Sequence, residues 1–211
     1  MEIKEKLKLW KQYGKMADLG EIARRKFFNN CFDGALTCAG IVSGIFIIFL
    51  KDPSRFIPEN VIITGFATAL AIGVSGLWGA FLSEEAERKK KVTDMKKEMA
   101  DVDDDIKINK EIKQKKKKTL LEKAENFATV VASLVDGGAP VLGSSLPLIP
   151  FFFGTTLAIT HFIFSYIILA VLLVYLGIFL GKISGGGRVR YALHLVTAGV
   201  VTLIISIILG I

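Results

Sequence analysis

The chain has 211 residues, 52% of them hydrophobic, with 15 phenylalanines and a mean hydropathy of +0.50. It also carries 27 Lys/Arg against 20 Asp/Glu, a net charge of +7. The apolar and charged residues are segregated along the chain, which excludes an ordinary soluble domain and points to membrane spans joined by charged loops. The first 26 residues are charged and lack an apolar run, so no cleavable signal peptide is expected.

Residues 1–26 hold eight Lys/Arg, and Ile3, Leu7, Trp10 and Ala17 recur at helical spacing. This pattern predicts a cytoplasmic basic amphipathic helix lying on an anionic membrane face, or else a solvated helical tail. Five apolar segments follow, at about 27–50, 61–83, 127–153, 156–180 and 191–211. Each is long enough to cross a hydrocarbon core of about 30 Å as a helix. The expected fold is an all-α integral membrane protein, with spans one and two in 27–83 and spans three to five in 127–211. Residues 84–126 would form a charged cytoplasmic helical hairpin between them.

Lys and Arg alternate cleanly between the two sides. There are eight in the tail, two in the first loop, fourteen in 84–126, none in the third loop and three in the fourth: Lys182, Arg188 and Arg190. The rule that positive loops stay inside places the N-terminus and the long loop in the cytoplasm and the C-terminus outside. A prokaryotic plasma membrane is the expected location.

Of the twenty acids, only Asp33 and Asp136 fall inside spans. A carboxylate at a span's centre costs roughly 2.5–3.5 kcal/mol on insertion scales, so a span that keeps one usually uses it. Counting from the nearest flanking charge, Asp33 lies roughly 10 Å and Asp136 roughly 16 Å into its span. Each is followed by glycine, with another glycine seven residues on from the acid (Gly40, Gly143), which suggests an internal repeat or a chance echo.

On the first span, Asp33, Thr37, Gly40 and Gly44 share a helical face. On the second, Thr64, Thr68, Ser75, Gly79 and Ser83 lie at compatible spacing. Such faces either pack helices closely or line a hydrated pathway. In the third span, Gly137, Gly138 and Pro140 follow Asp136, and Pro140 frees the Asp136 carbonyl, so a helix break is expected here. A carboxylate beside freed carbonyls is a hard oxygen site for a divalent cation or a proton.

Beyond the second span, Glu84, Glu87, Asp94, Glu98, Asp101 and Asp105 form a carboxylate stripe beside a seam of Val92, Met95, Met99, Val102 and Ile106. The stripe reads as a cation-collecting helix or, equally, as a solvated helix whose acids pair with Lys89, Lys90, Lys96 and Lys97. The lysine-rich run from Lys107 to Lys118 faces lipid headgroups or solvent, and nucleic acid is not an expected partner. Cys31 and Cys38 are two helical turns apart, roughly 10 Å, and are expected to be free thiols. His161 and His194 have no partner at ligand spacing. No nucleophile–base pair, phosphate loop or zinc cluster is visible, so an enzyme is not expected.

Three stretches resemble the vacuolar iron transporter family. Asp33-Gly34-x-x-Thr37 through Gly44 is similar to its first-span motif. Ser75-Gly76-Leu77-Trp78-Gly79-Ala80-Phe81-Leu82-Ser83 is similar to a second-span signature, usually Ser-Met-x-x-Gly-x-Tyr-x-Ser. Gly143-x-x-x-Pro147-Leu148-x-Pro150 is similar to its third-span ending, and Gly181-Lys182 through Leu193 also matches. The resemblance implies a five-span homodimer with the pathway between first spans. It would exchange Fe2+ or Mn2+ from the cytoplasm against protons, with Asp33 binding metal and an acidic hairpin collecting it. The family's second-span Met is Gly76 here and a common acid four residues on is Ala80, while Asp136 is an added acid, a change that favours a harder ion such as Mn2+. A non-transporting membrane protein that binds lipid or scaffolds partners is the alternative reading.

Overall fold

The computed structural model describes residues 3–100 and 107–209, and their side chains except at 88, 91, 92, 95–100 and 107–122. Among the described residues there are six α-helices and no strand: α1 (Ile3–Met16), α2 (Leu19–Lys51), α3 (Pro58–Ala100), α4 (Lys107–Ser145), α5 (Ile159–Ile183) and α6 (Arg188–Leu209). A 3-10 segment, Leu146–Phe152, continues from α4. Five stretches are long and apolar enough to span a membrane: Leu19–Lys51, Pro58–Glu87, Lys123–Phe152, Ile159–Ile183 and Arg188–Leu209. Each overlaps most of one of the five expected apolar segments. Helix is the form demanded there, because lipid offers no partner for a bare peptide group.

The chain forms two compact units, residues 1–25 with 76–135, and residues 26–75 with 136–211. In the first, α1 buries no residue, yet Trp10 and Tyr13 set their rings 6.0 and 6.2 Å from Phe127. The single N-terminal helix expected over 1–26 is split. Asp18 takes a left-handed φ of 46°, which ends one helix, and residues 19–26 already belong to α2.

The second unit is built around α2. Cys38, Val42, Ile45 and Phe49 pack with Val61 of α3, with Leu148 and Phe151 of the 3-10 segment, and with Phe162 of α5. A turn below, Phe28 and Cys31 meet Ala139 and Leu176, and Phe28 stacks on Phe179 at 4.5 Å. Ala35 and Ala39 face Leu169 and Leu173. The α5–α6 hairpin closes through Gly185 (φ 67°) and lets Gly177 sit against the Ala192 backbone. Only 6% of the apolar window of α6 is buried, against 44% for α2, so α6 is peripheral in the chain. Both cysteines are buried free thiols.

The helix break expected at Gly137, Gly138 and Pro140 is absent. The α-helix runs through all three and tightens only at Leu146, where Pro147 and Pro150 follow in quick succession. One proline removes one donor, which a helix absorbs with a bend; two prolines three residues apart do not leave room for a regular turn. Outside the spans, Asp52 Oδ1 accepts from the Ser54 amide at 3.0 Å and hydroxyl at 2.6 Å, and these bonds hold its carboxyl below the usual carboxylate value. That small contribution to the first loop is present above the ordinary carboxylate value and is lost as pH falls through the lowered one.

His161 has a structural task. Its Nδ1 accepts from the Ala158 amide at 3.1 Å, which puts the ring proton on Nε2, and Nε2 donates to the Phe153 carbonyl at 2.5 Å. The ring also lies 5.9 Å from that of Phe151, nearly parallel to it. One imidazole therefore caps the start of α5 and ties down the turn before it. We expect His161→Ala to cost about 0.5–2 kcal/mol, the range for a lost helix cap, read as a lower thermal midpoint in detergent.

Candidate functional site

Residues Lys26, Asn30, Asp33, Thr37 and Gly40 of α2 fall within roughly 80° of helix circumference, a continuous polar stripe. Gly34 lies just off it and faces α4. A Cβ built on Gly34 would sit 2.2 Å from the Pro140 carbonyl oxygen, and one on Gly143 would sit 2.1 Å from that of Cys31. Ser144 Oγ donates to the Gly34 carbonyl at 2.9 Å. Between the Lys26–Asp136 contact and the Ser144–Gly34 contact the residue numbers rise on both helices, so α2 and α4 run parallel with their backbones touching. The sequence echo is not repeated in the packing: Gly34 and Gly143 make the contact, while a Cβ on Gly40 would meet nothing within 4 Å.

The two intramembrane acids have opposite environments. Asp136 is buried, 9% exposed, and both its oxygens are engaged from α2. Lys26 Nζ lies 2.5 Å from Oδ2, and Asn30 Nδ2 donates to Oδ1 at 2.6 Å. Because Asn30 is a short side chain, Asp136 stands level with the turn before Asp33, not deeper than it as the count from Glu125 predicts. The Glu125 charge does not mark where the span begins. Asp33 is exposed, and its carboxylate makes no hydrogen bond or ion pair among the described residues. Successive helical residues diverge by about 100°, so packing Gly34 on α4 turns Asp33 to the other flank.

Thr37 Oγ1 donates to the Asp33 carbonyl at 2.9 Å, leaving its lone pairs outward. Ser75 and Gly79 are exposed. The face of α3 that packs is a different one. Cβ atoms on Gly65 and Gly73 would strike Leu148 and Val141, and Ala69 between them is fully buried. Of the carboxylate stripe, Glu84 is half-buried and Glu87 and Asp94 are exposed, while Asp101, Asp105 and the Glu98 side chain lie outside the described residues. Lys89 pairs with Glu85 at 2.8 Å, an exposed i,i+4 bridge. Among the described residues no three His, Cys, Asp or Glu side chains converge as a metal site. Lys26 and Asn30 are the residues that the sequence reading missed. Their signal was their spacing of seven and three residues before Asp33, hidden because Lys26 reads as the end of the basic tail.

Residues 112–211 match the model of the VIT family. An uncharacterized protein of Methanocaldococcus jannaschii is 30% identical over 167 residues, 78% of this chain and 76% of its own length. The chain belongs to the VIT family. The matched region covers most of α4 and all of the 3-10 segment, α5 and α6, so it includes Asp136, Gly143, Pro147 and Pro150; the resembling stretches of the first two spans precede it. VIT membership and five apolar helices make this an integral membrane protein of a transporter family concerned with metal ions, not a family of enzymes.

Proposed function

We propose that the chain is a proton-coupled transporter of divalent metal, Fe2+ or Mn2+, that moves its cargo out of the cytoplasm and works as a homodimer joined at first spans. The observation that carries this reading is the exposed Asp33 carboxylate on a helix whose other flanks are packed. Facing hydrocarbon it would cost roughly 2.5–3.5 kcal/mol. Facing the same stripe of a second copy, it would contribute to a polar seam with the Thr37 hydroxyls, open at Gly40. Two carboxylates there repel unless protons or a cation neutralise them, which is the coupling an antiporter needs. Gly76 stands where the resembled family has a Met, so the second span offers no thioether, which favours Mn2+ over softer ions.

Asp136 with Asn30 is a second oxygen site, nearer the cytoplasmic end. The helical extensions of α3 beyond Glu87 and of α4 before Lys123 would form the cytoplasmic hairpin, with Glu84, Glu87, Asp94, Glu98, Asp101 and Asp105 gathering cations. Basic residues of the tail and of 107–118 would sit against anionic lipid on the same side, leaving the C-terminus outside, in a prokaryotic plasma membrane. The test is reconstitution of the full chain into liposomes with an internal Mn2+-quenched dye and an internal pH dye. Mn2+ uptake with opposite proton movement is expected, and uptake that leaves the internal pH unchanged would remove the antiport. Crosslinking of Gly40→Cys protomers, against a background in which Cys31 and Cys38 are buried, checks the dimer.

A further inference from the structure

We propose that Lys26 is a tethered cation that competes with the transported metal for the Asp136 carboxylate and so sets the affinity of that site. The inference rests on the cation transport proposed above, and deepens it by naming what a metal must displace.

The geometry is that of an occupied cation site. Asp136 is buried on α4, and each of its oxygens has one partner on α2: the Lys26 ammonium on Oδ2 and the Asn30 amide on Oδ1. The partners are unequal in their freedom. The Asp136 side chain is 12% exposed and that of Lys26 is 23% exposed. Asp136 is held on a helix whose backbone touches α2 at Gly34 and Gly143 and cannot withdraw. Lys26 lies at the cytoplasmic end of the span, on a flexible four-carbon stem that can carry its ammonium out to headgroup level.

An ammonium held on Oδ2 neutralises the carboxylate and repels a second cation at contact distance, so Asp136 binds a divalent ion far more weakly while Lys26 is in place. Tight metal binding at Asp136 needs Lys26 to leave. Asn30 suits the exchange. As an amide it donates Nδ2–H to the carboxylate now, and a half-turn about its last bond offers Oδ1 to a cation instead. With Lys26 out, Asp136 and Asn30 present hard oxygens from two helices; with Lys26 in, the same carboxylate is neutralised and satisfied. The site is therefore closed to metal by default, and opened by the metal's own binding or by movement of Lys26.

The experiment measures Mn2+ binding to the purified full chain in nanodiscs, by loss of the free Mn2+ paramagnetic resonance signal, with thermal melts alongside. Lys26→Gln retains a donor for Asp136 without the charge, and is expected to lower the half-saturating Mn2+ concentration about fivefold or more, the scale of coupling between competing ligands. Lys26→Arg keeps the charge and should bind no tighter than wild type. In an Asp136→Asn background, Lys26→Gln should shift nothing. Asn30→Leu leaves the ion pair in place and removes the second oxygen, so it should weaken binding at least fivefold.

Equal affinities for wild type and Lys26→Gln overturn the competition, as does an identical shift in the Asp136→Asn background. Unchanged binding by Asn30→Leu overturns the amide exchange. Should Lys26→Gln fail to fold, the Asn30→Leu comparison still decides whether Asp136 and Asn30 hold the ion. A wild-type chain that transports Mn2+ yet responds to none of these substitutions sinks this inference alone, whereas a wild-type chain that neither binds nor transports Mn2+ sinks the transport reading and this inference with it.

Discussion

Gly143→Val protein is expected to lose its fold in the membrane unit, and Gly34→Val to do the same. The reason is that the first atom of any side chain lands on backbone. A Cβ at 143 would lie 2.1 Å from the Cys31 carbonyl oxygen and 2.9 Å from its carbonyl carbon, and one at 34 would lie 2.2 Å from the Pro140 oxygen and 2.7 Å from its Cα. No rotamer relieves such a clash, so α2 and α4 must separate. Separation opens the contacts of Phe28 and Cys31 with Ala139 and stretches the Ser144 bond to the Gly34 carbonyl. Overpacking costs typically about 1–3 kcal/mol and more where backbone must move, so a loss upwards of about 3 kcal/mol is expected at either site. That is a large part of a domain's stability and would appear as failure to elute as a single species in detergent. The control is Gly138→Ala, two residues after Asp136 on the same helix. It meets nothing within 4 Å, so it should instead raise the thermal midpoint, through the roughly 0.5–1 kcal/mol that alanine gains over glycine in a helix. A Gly143→Val protein as stable as wild type would show that the parallel α2–α4 contact is not what holds this unit together.

The same glycines explain what could be read in the chain beforehand. Hydropathy is a one-dimensional signal, and it located all five candidate spans to within a few residues at most ends. Which face of a span packs is a two-dimensional question, and there the pattern misled. On α3 the hydroxyl-bearing stripe runs through Thr64, Thr68 and Ser75, yet the packed small residues are Gly65 against Leu148 of the 3-10 segment, the buried Ala69, and Gly73 against Val141 of α4, spaced by four. That spacing is visible in the sequence; what is not visible is which of two small-residue stripes has a neighbour. The glycine echo after each acid had the same weakness, since Gly143 packs on the Cys31 backbone while a Cβ on its counterpart Gly40 would meet nothing within 4 Å.

The partner of Asp136 needed a contact across more than a hundred residues, Lys26 to Asp136, which no local pattern encodes. A lysine at the edge of a basic tail looks like headgroup anchoring until the third span places a carboxylate beside it. Depth suffered likewise: the last charged residue before a span, Glu125, is not its lower boundary, because long helices carry charged turns some way along the membrane surface. Proline was over-read. Pro140 alone does not end α4, and the chain tightens into a 3-10 turn where Pro147 and Pro150 follow.

The unlike surroundings of the two acids separate function from stability in one pair of substitutions. Asp33→Asn is expected to reduce Mn2+ transport in proteoliposomes by 10–100-fold or more, since even partners one step removed from a metal cost about that much, and to leave the melting temperature unchanged. Its carboxylate supports no contact within the described chain, so its replacement by an isosteric amide disturbs no packing. Asp136→Asn should do the reverse in first order. It ends the Lys26–Asp136 ion pair, and breaking a buried ion pair costs roughly 3–5 kcal/mol; with 23% of the Lys26 side chain exposed, about 1–3 kcal/mol is the expected loss. Measured side by side, transport and melting should therefore move on different axes: Asp33→Asn low in transport at wild-type midpoint, Asp136→Asn low in midpoint with its remaining transport saturating at higher Mn2+. A midpoint for Asp33→Asn several degrees below wild type would mean that this carboxylate is structural, held by a second protomer as a packing element, and not the group that carries the metal.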